Sequence, residues 1–397
     1  MIKSIIGLIL LICLISSCQK KIRDIPIELP TKSVSIFDLT EDMRFLRLGD
    51  TLNEESLFSK IQNAYLLDSF IVFGQYGASY SDHGQHLYFD HNGQYLHRFN
   101  TNAVVKEGIV FATGFYADEN GVYVTDNVRR LMFKIDHRGN LIEFSDVINK
   151  ASLYLPLSDE ITLYSYNLAK PFGLLDDHEY YDFFIYSEKN KQIIDKGVTE
   201  VPEWARRNYG DIQLIKSPNS QTLYHCSVAD PNYIIYEMTT EYIQEVDRLT
   251  FAEGMADVNR LKIGANNMPD PHYYRDENIV TDVFGIQRVG DEVFCMLDRG
   301  FGTNYLVRKN ITTNESYAVQ INWHHMVARD YVLRAKILAY TTDKYLVLFS
   351  PATTFKPFYD QNKELLQPYL QNDFSNFNYS DNDVLIFLKF KPEYYDM

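Results

Sequence analysis

The chain has 397 residues, with 53 acidic side chains against 38 Lys and Arg and a formal net charge of −15. An acidic chain without a basic stripe is a poor partner for nucleic acid, because phosphate binding requires Lys and Arg. We therefore expect no nucleic-acid partner. The length suits one large repeat domain or two to three smaller domains.

The first residues have the layout of an export signal. Lys3 precedes an apolar run of 11 residues at positions 5–15, which is shorter than the ~20 residues of a membrane span but suits a signal-peptide core. The run ends in the letters ISSC at Cys18. Small residues before a cysteine resemble the lipobox of bacterial lipoproteins; the alternative is a buried strand that ends in an incidental cysteine.

The lipobox resemblance implies cleavage before Cys18 and a covalent diacylglycerol on its thiol. Residues 1–17 would then be a signal peptide and residues 18–34 a lipid-anchored tether. The expected partner is a membrane, reached through the lipid, in the bacterial cell envelope. We expect the outer membrane, with its periplasmic or surface side left open.

Short alternating runs, many with Tyr or Phe, predict strands along the rest of the chain. The chain has 30 Tyr and 25 Phe, and six such runs recur 51 to 61 residues apart: SFIVFGQY, GVYVTDN, YDFFIYSE, NYIIYEM, DEVFCML and DKYLVLFS. Units of ~40–50 residues with four short strands each are typical of propellers. The spacing therefore predicts six blades.

Two stretches, FDHNGQYLHRF at 89–99 and KIDHRGNLIEF at 134–144, share the pattern Asp-His-x-Gly at a distance of 46 residues. An Asp in this place can bond its own backbone two residues on, and Asn-Gly favours a tight hairpin. Hairpin tips of different blades lie far apart, so we place His91 and His137 on surface turns rather than in a metal site. The turn residues that we assign are Asp90, Gly93, Asp136 and Gly139.

Two further histidine groups raise the same question. Asp82, His83 and His86 are metal-ligand types, but strand spacing would point the two histidines to opposite sides, and we interpret the stretch as a polar loop. His324 and His325 also diverge if they lie on a strand, although either could line the central channel.

The C-terminal third holds the best helical candidate, QNKELLQPYL from Gln361. Pro368 should end a helix there early. We expect a short helix or loop inserted in the last blade.

Together these features resemble the six-bladed β-propeller lipoproteins of Bacteroidetes, which are related in shape to TolB-like and NHL-like propellers. The resemblance rests on the lipobox, the paired Asp-x-x-Gly hairpins, SIFDLTEDMRFLRLGDT at 35–51 and SDNDVLIFLKFK at 380–391. The chain departs from the family in two places. The stretch FNTNAVVKEGIVF stands where a Gly-Pro-Gly-Glu turn is frequent, and Asp383 stands where a proline is common.

The resemblance implies an all-β fold, a single six-bladed β-propeller over residues 35–397 with four-stranded antiparallel blades. It also implies how the ring closes. The N-terminal strand at Arg44 to Leu48 would pair in the last blade with Val384 to Phe390, which removes the open edge.

Two cysteines remain in the body of the chain. Cys226 and Cys295 lie in apolar strand-like runs, so we interpret them as buried thiols, with a disulfide as the alternative. No Cys-x-x-Cys motif supports a metal site, and we predict no metal and no cofactor besides the lipid on Cys18.

The most site-like stretch is the long polar and aromatic loop GANNMPDPHYYRDENIVTD at 264–282. Long loops of propellers carry ligand sites, aromatic rings stack on apolar faces and Arg forks onto carboxylates. The first candidate binding loop comprises Asp270, His272, Tyr273, Tyr274, Arg275 and Asp276. The second comprises Trp204, Arg206 and Arg207. The alternatives are a solvated connector and an inter-blade anchor.

The chain contains no Gly-x-Ser-x-Gly, no phosphate-binding glycine loop and no His-Glu-x-x-His, so the common hydrolase and metalloprotease motifs are absent. We therefore expect a non-catalytic, membrane-anchored binding or scaffold lipoprotein that recognises a glycan, peptide or protein. The alternative is a propeller enzyme, a metal-dependent lactonase-like or glycan-cleaving protein with a site at the channel mouth. A subunit of a surface uptake complex is a third hypothesis, and the oligomeric state is left open.

Overall fold

Six β-sheets of four or five strands make up most of the described part of the chain. The computed structural model describes residues 22–49, 56–57, 63–75, 84–101, 112–126, 129, 131–146, 153–165, 183–197, 222–226, 233–255, 275–300, 302–326, 339–340 and 345–395. Strands that follow one another in sequence pair as antiparallel neighbours. This confirms the predicted six-bladed β-propeller.

The strands are numbered in chain order, and the first three come from the N-terminal segment. These are β1 (Arg23–Ile27), β2 (Ser33–Ser35) and β3 (Thr40–Arg47). Blade 1 contains β4 (Asn63–Leu66), β5 (Ile71–Gln75), β6 (Gln85–Phe89) and β7 (Tyr95–Asn100). Blade 2 contains β8 (Ala112–Asp118), β9 (Gly121–Asp126), β10 (Leu131–Ile135) and β11 (Leu141–Asp146). Blade 3 contains β12 (Leu153–Pro156), β13 (Ile161–Ser165), β14 (Phe183–Ser187) and β15 (Gln192–Gly197).

The other three blades combine later strands with one N-terminal strand each. Blade 4 contains β16 (Leu223–Cys226), β17 (Ile234–Met238), β18 (Ile243–Phe251) and β1. Blade 5 contains β19 (Val280–Val289), β20 (Glu292–Arg299), β21 (Thr303–Asn310), β22 (Ser316–Asn322) and β2. Blade 6 contains β23 (Ala339–Tyr340), β24 (Leu346–Ser350), β25 (Val384–Phe390) and β3.

Buried apolar side chains join each blade to its two neighbours. Among the described residues, six apolar clusters occupy the six contacts between neighbouring blades, including that between blade 6 and blade 1. The first of these is the largest and joins blades 5 and 6. Because each strand alternates its side chains between two faces, one strand supplies both neighbours, and the core is a closed ring of interfaces.

The N-terminal segment runs along three blades in succession. β1 pairs in parallel with β18, β2 pairs in parallel with β22, and β3 pairs antiparallel with β25. Ile25 and Ile27 are buried on blade 4, and Pro26, which lacks an N–H, is tolerated because β1 is an edge strand. Paired structure thus begins at Arg23, inside the range 18–34 that the sequence had assigned to a tether, and two blades gain a parallel outer strand.

The ring closes in blade 6 as predicted. Val384 pairs with Arg47 and Phe387 with Arg44. The far side of β3 is covered as well, because Leu370 forms a parallel bridge to Phe45 and the Gln371 N–H donates to the Phe45 carbonyl at 2.9 Å. β3 therefore has a hydrogen-bonded partner on each side.

The segment 351–383, inserted between β24 and β25, is more helical than its sequence indicated. With α1 (Ile36–Leu39) near the N-terminus, the helices are α2 (Ala352–Gln361), α3 (Lys363–Leu366), a 3₁₀ turn (Gln367–Tyr369) and α4 (Pro392–Tyr395). Pro357 lies inside α2, where proline ordinarily costs ~3 kcal/mol. The helix persists because Phe355, Phe358 and Tyr359 are buried against blade 6.

None of the helices in the described ranges combines the length and the apolar character needed to cross a lipid bilayer.

Candidate functional site

The connections between strands divide the propeller into two unequal faces. Antiparallel neighbours place successive connections on alternate sides of the ring. On one side, which we call the short-turn face, hairpins such as 90–94, 136–140 and 239–242 have no more than five residues. The longest segments leave from the opposite side, the long-connection face; they are 166–182, 198–222, 252–279 and 351–383.

This asymmetry bears on the two predicted binding loops. The first follows β18 and the second follows β15, and both of these strands end at the long-connection face. Arg275 and Asp276 are described, and both are exposed in a short helical turn that leads into β19. The remaining predicted residues lie outside the described residues: Asp270, His272, Tyr273, Tyr274, Trp204, Arg206 and Arg207.

The two ends of segment 252–279 are tied together where it leaves the ring. The Val280 N–H donates to the Gly254 carbonyl at 2.8 Å. The Arg299 guanidinium donates to the Asn278 carbonyl at 2.6 Å and lies 3.6 Å from the Glu253 carboxylate. Arg299 ends β20, so a neighbouring strand end of blade 5 fixes the base of the first candidate loop.

A buried polar network lies directly beneath this base and has no counterpart among the sequence predictions. Asp298 and Asn304 are almost fully buried. The Asp298 carboxylate accepts from the Gly302 N–H at 2.9 Å, from the Asn304 amide at 3.0 Å and from the Thr281 hydroxyl. Trp323 in turn donates its indole N–H to Asn304 at 2.9 Å.

The network fixes the ends of β19, β20, β21 and β22 at the long-connection face. With three donors on one carboxylate, Asp298 serves as an acceptor that organises the scaffold beneath the candidate loop. The sequence signal was an acidic residue at the end of the apolar run VFCML, a signal too common to single out.

The two Asp-His-x-Gly hairpins are built alike. Asp90 accepts from the Asn92 and Gln94 N–H groups at 2.9 and 2.8 Å, and Asp136 accepts from the Arg138 and Asn140 N–H groups at 2.9 and 2.7 Å. Gly93 and Gly139 have φ of 78° and 85°. Each Asp thus acts as the turn acceptor and each Gly supplies the left-handed backbone.

The histidines of these hairpins bind the neighbouring turn of their own blade. His91 Nε2 donates to the Asp68 carbonyl at 3.1 Å, and His137 Nε2 donates to the Asp118 carbonyl at 2.8 Å. The Tyr88 hydroxyl donates to His137 Nδ1 at 3.2 Å. Both nitrogens of His137 are therefore engaged, and the two histidines belong to separate blades.

Two other histidines lie elsewhere than the sequence suggested. His86 is in β6, not in a polar loop, and its Nε2 lies 2.8 Å from the Thr101 hydroxyl; burial lowers the pKa of His86 to about 3. His324 is not at the central channel: a hydrogen bond of 2.8 Å joins its Nε2 to the Ser35 hydroxyl of the outer strand β2. His83 and Asp82 lie outside the described residues.

Cys226 and Cys295 are buried thiols in blades 4 and 5. Burial raises the pKa of Cys295 to about 12, so this thiol stays protonated and unreactive. Within the ranges that the structure describes, no three His, Cys, Asp or Glu side chains are grouped as a metal site would require.

The fold and its uneven connections define a six-bladed β-propeller whose long segments leave from one face. The solved structures that resemble it include the following three. A Bacteroides vulgatus member of the DUF4221 family matches at a TM-score of 0.46 and 12% identity, over 89% of this chain and 97% of that one. A streptogramin B lyase matches at 0.40 and 10%, over 88% and 98%. BamB from Moraxella catarrhalis matches at 0.34 and 13%, over 72% and 66%.

No family model matches the chain, and no curated protein matches it.

Proposed function

We propose that this protein is a membrane-anchored binding lipoprotein, whose long-connection face recognises a glycan, peptide or protein. The observation that carries the proposal is the asymmetry of the connections: the short-turn face has hairpins of at most five residues, whereas segments of 17 to 33 residues leave from the other. Long loops on a rigid scaffold are where binding residues concentrate.

The anchor is the Cys18 thiol. It forms a thioether with a diacylglyceryl group donated by a phospholipid, whose phosphate headgroup leaves with the thiol proton. Hydrolysis of the peptide bond before Cys18 then removes residues 1–17. Two or more acyl chains hold a protein stably at a bilayer, because each buried CH₂ contributes ~0.8 kcal/mol.

The binding residues are those of the two candidate loops. Arg275 is exposed at the fixed base of the first loop, where its guanidinium can fork onto a carboxylate. The adjoining Tyr273 and Tyr274 supply aromatic faces on which sugar rings or apolar side chains stack. The polar network centred on Asp298 holds the strand ends at the base of this loop in one arrangement and so reduces the entropy lost on binding.

A binding screen tests this proposal. The chain from residue 19 onward is presented to glycan and peptide arrays, and each hit is measured again with Arg275→Ala and with Tyr273→Ala/Tyr274→Ala. The matched control is Glu241→Ala, an exposed position in a hairpin of the short-turn face. We expect the loop variants to weaken binding at least tenfold and the control to leave it unchanged.

Two results would contradict the proposal. One is a ligand that the loop variants bind as tightly as wild type does but that Glu241→Ala binds more weakly. The other is a stoichiometric divalent metal in the purified protein together with turnover of a lactone or glycan, which would make the protein an enzyme.

A further inference from the structure

The parallel pairing of β1 sets the direction in which the N-terminus leaves the propeller. β18 begins after the hairpin 239–242 of the short-turn face and ends at Phe251 on the long-connection face. Arg23 pairs with Asp247 and Ile27 with Phe251. Since β1 runs the same way as β18, the chain that precedes Arg23 points towards the short-turn face of blade 4.

β1 is held firmly at this place. The side chains of Ile25 and Ile27 are only 1% and 2% exposed, in the cluster that contains Leu249 and Phe251. Asp24 also lies 3.7 Å from the Arg248 guanidinium. Arg23 is consequently a fixed point of the folded body.

The chain between Cys18 and this fixed point is short. Five residue steps span at most about 17 Å when extended. Along β18, Asp247 lies five residues after Tyr242, which is also about 17 Å in a strand. A lipid on Cys18 can therefore just reach the level of the short-turn hairpin. To reach the other face, the five residues would have to reverse direction and run back along β18.

We propose that the lipid anchor holds the propeller with the short-turn face of blade 4 against the membrane, so that the long-connection face and its candidate binding loops point away from it. This orientation rests on the proposed lipidation of Cys18. This orientation is supported by Lys20, Lys21 and Arg23, because basic residues next to the acyl chains attract anionic headgroups.

The test uses the full-length, lipidated chain, reconstituted into vesicles of phosphatidylcholine and phosphatidylglycerol that contain a lipid with a spin-labelled headgroup. A fluorophore is attached at Glu241→Cys on the short-turn face or at Asp276→Cys on the long-connection face; both positions are exposed. The native thiols Cys226 and Cys295 are buried and stay unlabelled in the folded protein. We expect several-fold stronger quenching at position 241 than at position 276.

A lengthened tether is the matched control. A Gly/Ser linker of about 20 residues inserted between Gln19 and Lys20 spans roughly 25 Å as a random coil. It should lower the quenching at position 241 to the level of position 276. Unchanged quenching at 241 with the linker would overturn the role of the short tether.

Two other results separate the orientation from the anchor. If the N-terminal peptide carries the lipid by mass spectrometry but the label at 276 is quenched as strongly as that at 241, the orientation is wrong and the lipoprotein proposal stands. If the peptide carries no lipid and the protein does not float with the vesicles, both are wrong.

Discussion

At the scale of single residues, each hairpin histidine links two turns of its own blade, and His137 also contacts Tyr88 and Phe70 of blade 1. His137 is half-buried, and its ring engages the Asp118 carbonyl through Nε2 and the fully buried Tyr88 through Nδ1. It also lies 4.6 Å from the Phe70 ring. His91 makes the equivalent bond to Asp68 but is exposed. The same motif therefore contributes unequal stability in the two blades.

We expect His137→Ala to destabilise the fold by about 1–3 kcal/mol, because a buried hydroxyl loses its acceptor and a carbonyl its donor. The matched variant His91→Ala should cost less than about 1 kcal/mol, since water replaces its single bond. Urea unfolding followed by tryptophan fluorescence gives both values. Equal losses would show that the Tyr88 contact contributes nothing.

Asp383 is a half-buried residue of the inserted segment, and its carboxylate accepts a hydrogen bond from the Ala352 N–H at the start of α2. Burial raises the pKa of Asp383 to about 6 against the ordinary 3.8, and the Ala352 hydrogen bond opposes this only in part. Between those pH values the folded chain holds a proton that the unfolded chain releases. The free energy of unfolding contributed by this group therefore falls as pH rises from about 4 to 6.

We expect Asp383→Asn to remove this decline, because the amide is neutral at every pH and can still accept from Ala352. Relative to wild type, the variant should gain up to about 3 kcal/mol between pH 4 and pH 7. Urea unfolding of both proteins at the two pH values measures the gain. If the difference in free energy of unfolding between the two proteins were the same at both pH values, Asp383 would not be the group that titrates.

At the scale of elements, each Asp-His-x-Gly hairpin packs on the outer strand of the preceding blade. A Cβ added at Gly93 would lie 2.1 Å from the Arg47 carbonyl oxygen of β3, and one added at Gly139 would lie 3.1 Å from Phe99 of β7. The Gly93 carbonyl also accepts from the Gly49 N–H at 2.7 Å. The glycines are needed for this close approach as well as for their positive φ.

Gly93→Ala tests the close contact between Gly93 and the Arg47 carbonyl, and Gly290→Ala is the matched control. Gly290 also has a positive φ, of 59°, but open space around its Cβ position, so its variant should lose only the ~1–2 kcal/mol of left-handed strain. Gly93→Ala must in addition displace the backbone at Arg47. We therefore expect it to lower the free energy of unfolding by at least about 2 kcal/mol more than Gly290→Ala does. Similar urea midpoints for the two variants would contradict this contact.

At the scale of the whole molecule, the first and last strands meet in one blade, so the ring depends on both ends of the chain. β25 lies between β24 and β3 and supplies Leu385 to the cluster of blades 6 and 1 and Ile386 to that of blades 5 and 6. Arg47 of β3 also forms a buried ion pair with Asp381, at 3.1 Å. Loss of β25 would expose two interfaces at once.

We expect a chain that ends at Asp381 to lose cooperative unfolding altogether. A chain that ends at Lys391 is the matched control: it loses α4, with the Tyr394 ring stacked on Tyr317 at 4.9 Å, but keeps β25. It should melt cooperatively at a slightly lower temperature. Calorimetry distinguishes the two, and a cooperative transition for the shorter chain would show that the ring does not depend on its closing strand.

The regular spacing of apolar runs was enough to predict most of the fold. The six apolar runs fell on strands of six blades. The closing pair of β3 and β25 was expected only from the resemblance to closed propellers, and both faces of β25 pack on apolar clusters. The helix α2 was not predictable, since Pro357 lies inside it and only the burial of its aromatic residues supports it. The prediction that His86 lies in a polar loop was wrong, because the polar residues around it are typical of a loop and only tertiary contacts place it in β6.

The sequence by itself determined the number of blades, through the regular recurrence of apolar runs along the chain. It also determined the turn chemistry of Asp90 and Asp136, because that depends on residues close together in the chain. Only the tertiary structure decided that residues 23–35 belong to the propeller. It also decided that the hairpin histidines bind carbonyl groups and that Asp298 supports the long-connection face. These depend on contacts between residues far apart in the chain, such as Ser33 and Gln320, and a local pattern does not encode such distances.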